Sequence, residues 1–178
     1  MDSARTTGRL TARGMARLLV ACLPLLVLLP QPGSSQQAKP GFVEARYLEA
    51  AAAGDVKAQF RLGMMHERGI ASAASLEQAR SWYGKAAALG YAPAQYKYGL
   101  MLHHGRGGPA DLAQAADVYR RAAKQGQAEA QHNLAYLYDT GLGVAQDASR
   151  AAQWYLAAAR QNQPLAMRAL GGLYAQGR

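Results

Sequence analysis

The sequence predicts an all-α fold built from repeated pairs of helices. From Phe42 onward only six residues are β-branched, whereas alanine, the strongest helix former, occurs 39 times in the chain. The chain also matches itself when it is shifted by 36 residues. Each such period contains two stretches in which apolar residues recur at helical spacing. A fold that contains a β-sheet is therefore disfavoured.

Residues 1–35 have the pattern of a secretory signal peptide. Arg13 and Arg17 precede an apolar run over residues 18–29, and a segment rich in small residues follows. As a helix this run rises about 18 Å, which is too short for a hydrocarbon core about 30 Å thick. We expect cleavage after Ser35.

Alternatives stay open for this leader. The stretch Leu19-Val-Ala-Cys22 matches a lipoprotein-processing box, and an uncleaved leader would act as an inner-membrane anchor. Translation starts at Met1 or at Met15, because Met15 also opens a more compact signal peptide. Cys22 is the single cysteine, so the mature chain is predicted to contain no disulfide. Residues 36–41 are expected to form a short linker, and residues 42–178 the repeat domain.

The 36-residue shift brings similar residues into register from Tyr47 to Arg178 without an insertion or a deletion. The clearest set is formed by four tyrosines: Tyr47, Tyr83, Tyr119 and Tyr155. A fixed period of this length is the signature of a solenoid. We predict full repeats at about 58–93, 94–129 and 130–165, flanked by half repeats, giving about eight helices.

The ends of the second helix in each repeat carry capping residues. Ser75, Asp111 and Asp147 stand where a side chain can cap the free amides of the first turn. Gly90 and Gly126 follow the last turn, where glycine tolerates the left-handed conformation. These signals predict the boundaries of the second helices.

The first helix of each repeat contains a glycine in its interior. Gly63 and Gly99 each cost about 1 kcal/mol of helix stability relative to alanine. We interpret this cost as a sign that a neighbouring helix approaches too closely to leave room for a Cβ atom. Pro93 lies at a helix start, where its missing N–H is not needed.

The segment from Ala130 to Asp147, continuing through Ala151-Ala-Gln-Trp-Tyr-Leu-Ala-Ala159, closely resembles the Sel-1-like repeat (SLR), a relative of the tetratricopeptide repeat. The resemblance implies a right-handed α-α superhelix that serves as a protein-interaction scaffold, commonly in exported bacterial proteins. Two features depart from the pattern: Val118 replaces the usual aromatic residue, and the loop over residues 105–111 is atypical. The expected structural core of the repeats comprises Leu62, Gly63, Trp82, Tyr83, Tyr98, Gly99, Tyr119, Leu134, Trp154 and Tyr155.

The sequence contains no recognisable catalytic or metal-binding motif. It lacks the nucleophile elbow, the phosphate-binding loop and the paired-cysteine spacing of zinc sites. His103 and His104 are adjacent on a helix, so their side chains diverge and do not readily share a metal ion. Of the net charge of +9, three charges belong to residues 1–35; from Gln36 onward 16 basic and 10 acidic residues are scattered singly, with Arg120-Arg121 as the longest basic run, which disfavours a nucleic-acid interface. We therefore expect no enzymatic activity, no metal and no cofactor.

The first helices are expected to line the concave surface of the solenoid. Nine positions on them face away from the predicted core stripe and do not repeat exactly, which makes them candidates for partner binding: Phe60, Met64, Glu67, Tyr96, Leu100, His103, His132, Tyr136 and Asp139. Aromatic residues and methionine are enriched in protein interfaces. These side chains are predicted to form a groove for a protein or peptide.

The resulting hypothesis is an exported, non-enzymatic scaffold in the periplasm or outside a bacterial cell. The composition, rich in alanine and arginine, favours a bacterial source. The membrane is involved only through the N-terminal segment, if that segment stays uncleaved. One alternative is a structural subunit of an envelope complex. The resemblance implies a further alternative, an enzyme or binder acting on cell-wall fragments or β-lactams, because cysteine-rich exported relatives have been linked to β-lactam binding. This chain lacks the paired cysteines characteristic of those relatives, which disfavours that alternative.

Overall fold

The computed structural model describes residues 40–175 and 177, and this part of the chain forms helices and turns without a strand. Its helices are α1 (Pro40–Ala52), α2 (Val56–Glu67), α3 (Leu76–Ala88), α4 (Ala92–His104), α5 (Leu112–Lys124), α6 (Ala128–Thr140), α7 (Ala148–Ala159) and α8 (Pro164–Ala175). The predicted signal peptide over residues 1–35 lies outside the described residues. Helix α1 begins at Pro40, so the last two residues of the segment expected to be a linker are helical. Proline is accepted there because the first turn of a helix does not need its N–H.

Each helix packs mainly against its neighbours in the chain, from α1 on α2 to α7 on α8. The pairs α2–α3, α4–α5 and α6–α7 form three complete helical hairpins. Helix α1 has the register of a second helix, and α8 has the register of a first helix. The predicted all-α repeat solenoid is therefore confirmed.

In each of the first two hairpins, a tyrosine of the second helix packs against a glycine of the first helix. A Cβ atom at position 63 would lie 2.6 Å from Cδ1 of Tyr83, and one at position 99 would lie 2.5 Å from Cε1 of Tyr119. Neither tyrosine is exposed to solvent. The predicted close approach at Gly63 and Gly99 is confirmed, and the ring that causes it belongs to the partner helix of the same hairpin.

The three predicted caps of the second helices are also confirmed. The side chains of Ser75, Asp111 and Asp147 each accept a hydrogen bond from a backbone N–H in the first helical turn. Each hydroxyl or carboxylate thereby satisfies a donor that has no partner within the helix. These caps fix the point at which each second helix leaves the loop.

Buried glutamines link one hairpin to the next at the same position of each repeat. The Nε2 atoms of Gln59, Gln95 and Gln131 donate to the carbonyl oxygens eight residues earlier, at 3.3, 3.2 and 3.1 Å. A buried amide without a partner would destabilise the fold, so these bonds hold successive repeats in register. The described fold thus rests on a repeated set of contacts.

Candidate functional site

The first helices of successive repeats meet directly along one side of the solenoid. Lys97 on α4 contacts Glu67 on α2 at 3.1 Å, and the ring of Tyr136 on α6 stacks on His103 of α4 with centroids 6.3 Å apart. The nine candidate residues on these helices remain a predicted binding surface, which we call the first-helix groove: Phe60, Met64, Glu67, Tyr96, Leu100, His103, His132, Tyr136 and Asp139.

One ring per repeat packs from this groove onto the tyrosine of the second helix. The centroid distances are 5.5 Å from Phe60 to Tyr83 and 6.3 Å from Tyr96 to Tyr119. His132 occupies the same position in the third repeat, 5.6 Å from its own tyrosine. These three side chains are half-buried, so they support the hairpins and offer only part of their surface to a partner.

Glu67 is held in the groove by three hydrogen bonds. Its carboxylate accepts hydrogen bonds from the Tyr83 hydroxyl at 2.7 Å, from Lys97 at 3.1 Å and from Arg106 at 3.0 Å. Burial alone would raise the pKa of Glu67, but the hydrogen bonds from Tyr83 and Lys97 and the nearby positive charges outweigh it and lower the pKa. Glu67 therefore joins three helical segments as a fixed carboxylate.

The residues equivalent to Glu67 also lie beside a buried tyrosine. The ring of His103 lies 6.3 Å from that of Tyr119. Burial lowers the pKa of His103, and the neighbouring His104 lowers it further, which favours the neutral imidazole. In the third repeat, burial and then the charge of Asp139 raise the pKa of Tyr155 to about 12. The same repeat position thus carries an acidic side chain in the first repeat, a neutral imidazole in the second and an acidic side chain in the third.

The middle position of the groove carries its most accessible aromatic side chain. Tyr136 is 40% exposed, whereas the equivalent Met64 and Leu100 are half-buried against the core. The rings of Tyr136 and His103 are nearly parallel, with an interplanar angle of 19°. Tyr136 therefore presents a supported but open ring at the junction of two repeats.

The expected structural core residues differ in how deeply they lie. Leu62, Gly63, Tyr83, Gly99, Tyr119, Leu134 and Tyr155 are buried, whereas Trp82, Tyr98 and Trp154 are half-buried. The Lys85 ammonium lies 3.9 Å from the ring centroid of Trp82, so one face of that indole is covered by a charged side chain. Trp82 and Trp154 therefore lie at the edge of the hairpins, whereas Tyr83, Tyr119 and Tyr155 fill them.

Sequence reasoning missed a concave region at the N-terminal end of the described solenoid. A groove of about 510 Å³ lies between α1 and α2, and Val43, Tyr47 and Ala50 of α1 line it together with Arg61 of α2. The repeat register could have indicated this groove, because α1 corresponds to a second helix and no first helix precedes it among the described residues. Nothing in the residue types alone distinguishes these side chains from ordinary core.

Within the described residues, no group of three or more His, Cys, Asp or Glu side chains is placed to hold a metal ion. None of the helices in that part of the chain is long and apolar enough to span a bilayer.

Comparison with known proteins identifies the repeat. The family model for the Sel1 repeat matches residues 56–91, 92–127 and 128–163, each starting two residues before the boundary expected from the sequence. The structure of a Sel1 repeat protein from Oxalobacter formigenes is similar, with 32% identity and a TM-score of 0.70 over 75% of this chain and 55% of that one. No curated protein matches the chain significantly.

Two further structures are similar. A protective antigen of uropathogenic Escherichia coli strains, which displays an SLR fold, is 36% identical with a TM-score of 0.71, over 75% of this chain and 29% of that one. The cysteine-rich protein B of Helicobacter pylori is 21% identical, with a TM-score of 0.54 over 72% of this chain and 97% of that one, and shows the fold alone. The chain thus spans about half the length of the first relative and under a third of the second. Three consecutive matches to the family model cover more than half of its residues, and the chain therefore belongs to the Sel1 repeat family.

Proposed function

We propose that this protein is an exported, non-enzymatic scaffold that binds a peptide or protein segment along the first-helix groove. Sel1 repeats generally mediate protein–protein interaction, and proteins built from them are typically non-catalytic. The proposal adds a location on this chain and a kind of ligand to that family role.

The observation that carries the proposal is the exposed, stacked ring of Tyr136. An aromatic side chain that is 40% exposed yet supported by His103 loses little conformational freedom when a ligand covers it. Tyrosine is among the residues that contribute most to binding energy in protein interfaces. The ring is therefore a suitable anchor for an apolar or aromatic side chain of the partner.

The charges of the groove favour an occupant that does not depend on a salt bridge. Glu67 is already neutralised by Lys97 and Arg106. The lowered pKa of His103 keeps its ring uncharged near neutral pH. An extended peptide with apolar or aromatic side chains therefore matches the middle of the groove better than a highly charged one.

A peptide library displayed on phage tests this proposal directly. Peptides selected on the wild-type protein should lose binding to the Tyr136→Ala variant and keep it toward Leu156→Ala. Leu156 is a matched control because it is 36% exposed but lies on a second helix, outside the groove. Peptides that bind both variants equally would show that the groove is not the binding surface.

Export is tested separately by mass spectrometry of the protein recovered after expression with its leader in a bacterial host. We expect a mature chain that begins at Gln36, because the apolar run and the small residues before it have the pattern of a cleaved signal peptide. Recovery of the intact 178-residue chain from the membrane fraction would instead support the anchored alternative.

A further inference from the structure

The first-helix groove is not electrically uniform along its length. Where α4 meets α2, Lys97 and Arg106 both bond to the carboxylate of Glu67, at 3.1 and 3.0 Å. Arg68 follows Glu67 directly in the chain, at the end of α2. We call these four residues the cationic junction. Its formal charge at pH 7 is +2, because three positive groups stand beside one negative group.

Arg68 is the cation of this junction that Glu67 does not bind. The three hydrogen bonds described above already engage the carboxylate, and none of them comes from Arg68. Burial and then Glu67 raise the pKa of Tyr83, whereas the charges of Arg68 and Arg106 oppose that rise. The guanidinium group of Arg68 therefore lies close enough to the Tyr83 hydroxyl to act on it, while its side chain stays exposed to solvent.

The exposure of Arg68 does not depend on what precedes α1. His104 and Thr140 occupy the same repeat position, and both are exposed although a complete hairpin precedes each of them. The other two cations are also within reach of a ligand, because the side chains of Lys97 and Arg106 remain 34% and 42% exposed. The junction is therefore a positive surface that a partner can contact.

The corresponding junction between α4 and α6 lacks these charges. The residues at the four equivalent positions are His103, His104, Asn133 and Leu142. Helix α6 contains no lysine or arginine, and the charge of its Glu129 contributes to the raised pKa of Tyr96, after burial. An anionic group of a partner is therefore attracted to the α2–α4 side of the groove and not to the side formed by α6.

We propose that the cationic junction binds a carboxylate side chain of the partner, so that the groove takes a segment with an acidic residue at a fixed distance from the apolar or aromatic residue on Tyr136. This inference rests on the proposed function, because it names a second contact in the same groove. A carboxylate would lower the formal charge of the junction from +2 to +1. Its oxygens can accept charge-assisted hydrogen bonds from the guanidinium groups, and a concave surface strengthens the attraction.

Helix packing sets the spacing between the two contacts. Packed helices lie about 8–10 Å apart, so the cationic junction is roughly 12–15 Å from α6. An extended chain advances about 3.3 Å per residue, which places the acidic residue about four residues from the side chain that covers Tyr136. Charge complementarity contributes more to specificity than to affinity. The ring of Tyr136 therefore supplies the anchor, and the junction sets the direction in which the segment lies.

Fluorescence titration of labelled peptides selected on the wild-type protein tests the contact. The peptides should share an aspartate or glutamate at this spacing. Arg68→Gln should weaken their binding about two- to fivefold, and Arg68→Glu about tenfold or more. Arg160→Gln is the matched control, because Arg160 is also an exposed arginine at the end of a helix, but on α7. Equal losses in Arg68→Gln and Arg160→Gln would mean that only the net charge matters, and would contradict the proposal.

A charge exchange separates a direct contact from a structural role of Arg68. A peptide whose acidic residue is replaced by lysine should bind the wild type poorly and regain affinity for Arg68→Glu. A variant that merely disturbs the fold cannot produce this recovery, so its absence overturns the inference.

The Tyr136→Ala variant distinguishes the two ways in which these proposals can fail. Peptides that require Tyr136 but lack an acidic residue, or that bind Arg68→Glu as tightly as the wild type, overturn this inference and leave the proposed function intact. Peptides that bind Tyr136→Ala as tightly as the wild type overturn the proposed function, and the inference falls with it.

Discussion

The tyrosines of the second helices and Tyr136 of a first helix are the same residue in two different environments. Tyr83, Tyr119 and Tyr155 are at most 2% exposed and fill the hairpins, whereas Tyr136 is 40% exposed and lies on His103. The second-helix tyrosines therefore serve packing, whereas the exposed side of the first helix is the surface for which we propose recognition. A substitution on one surface should change a property that the same substitution on the other leaves intact.

The largest effect is expected for Tyr119→Ala. This ring is fully buried between α4 and α5, and its removal leaves a cavity that should cost about 3–5 kcal/mol of unfolding free energy. That loss is comparable with the whole stability of an ordinary domain. Urea denaturation followed by circular dichroism measures it. Trp154→Ala should lower the unfolding free energy by less, because Trp154 is half-buried. A larger loss for Trp154→Ala than for Tyr119→Ala would mean that the tryptophans contribute more to hairpin stability than the tyrosines.

The different depths of tyrosine and tryptophan mark the limit of what periodicity predicts. The 36-residue repeat and the helical spacing were sufficient to predict the hairpins, their caps and the close approach at the glycines. Trp82 and Tyr83 are adjacent on the same face, and spacing alone does not say which points at the partner helix. The contact between Tyr83 and Gly63 shows that the tyrosine packs between the two helices of the hairpin, whereas Trp82 stays half-buried at its edge.

Gly99→Ala should be the next most damaging change. The new methyl group would lie 2.5 Å from the Tyr119 ring, and forcing the helices apart should cost about 1–3 kcal/mol. Gly172→Ala is the control, because a Cβ atom there has open space around it and alanine improves helix propensity by up to about 1 kcal/mol. Thermal melting of both variants should therefore shift in opposite directions. A stabilising Gly99→Ala change would show that the Tyr119 ring can make room for a Cβ atom, as in the third hairpin, where Ala135 holds this position and Tyr155 is still buried.

Glu67 lies on the groove surface, but its hydrogen bonds hold neighbouring helices together. The dependence of the unfolding free energy on pH tests this stabilising role. Glu67→Gln should cost about 1–2 kcal/mol at neutral pH, because charge-assisted hydrogen bonds to Tyr83, Lys97 and Arg106 are weakened. A lowered pKa means that the native state binds fewer protons than the unfolded state. The extra stability is thus complete above the ordinary pKa of about 4.3 and is lost as the pH falls through the lower native value.

Denaturation curves at a series of pH values from neutral to strongly acidic measure this prediction. The difference between wild type and Glu67→Gln should close in acid, and the exposed Glu49→Gln should show no comparable difference. A gap that is independent of pH would mean that the carboxylate charge is not involved. This network was not predictable from the sequence, because Lys97 and Arg106 lie 30 and 39 residues from Glu67 and only the stacking of repeats brings them together.

A smaller, stabilising effect is expected where the first repeat departs from the others. Gln95 Oε1 accepts a hydrogen bond from Gln125 Nε2 at 2.8 Å, but the equivalent oxygen of Gln59 is buried without a partner. Leu89, which is 61% exposed, stands where Gln125 stands one period later. Leu89→Gln should therefore supply the missing donor and raise the unfolding free energy by about 1 kcal/mol. Leu89→Glu has a similar shape but no amide donor, so an equal gain in both variants would refute this explanation.

The smallest effect on stability is expected for Tyr136→Ala. A loss of binding without a loss of stability in this variant would distinguish a role in recognition from a role in folding. Its ring is partly exposed and rests on His103, so truncation should change the unfolding free energy by less than about 0.5 kcal/mol. The same variant should lose the selected peptides. If Tyr136→Ala instead destabilises the protein as Tyr119→Ala does, the first-helix ring is part of the packing and the division between the two helices of each repeat does not hold. Unfolding and binding must therefore be measured on the same preparation, because only a loss of binding without a loss of stability assigns Tyr136 to the partner.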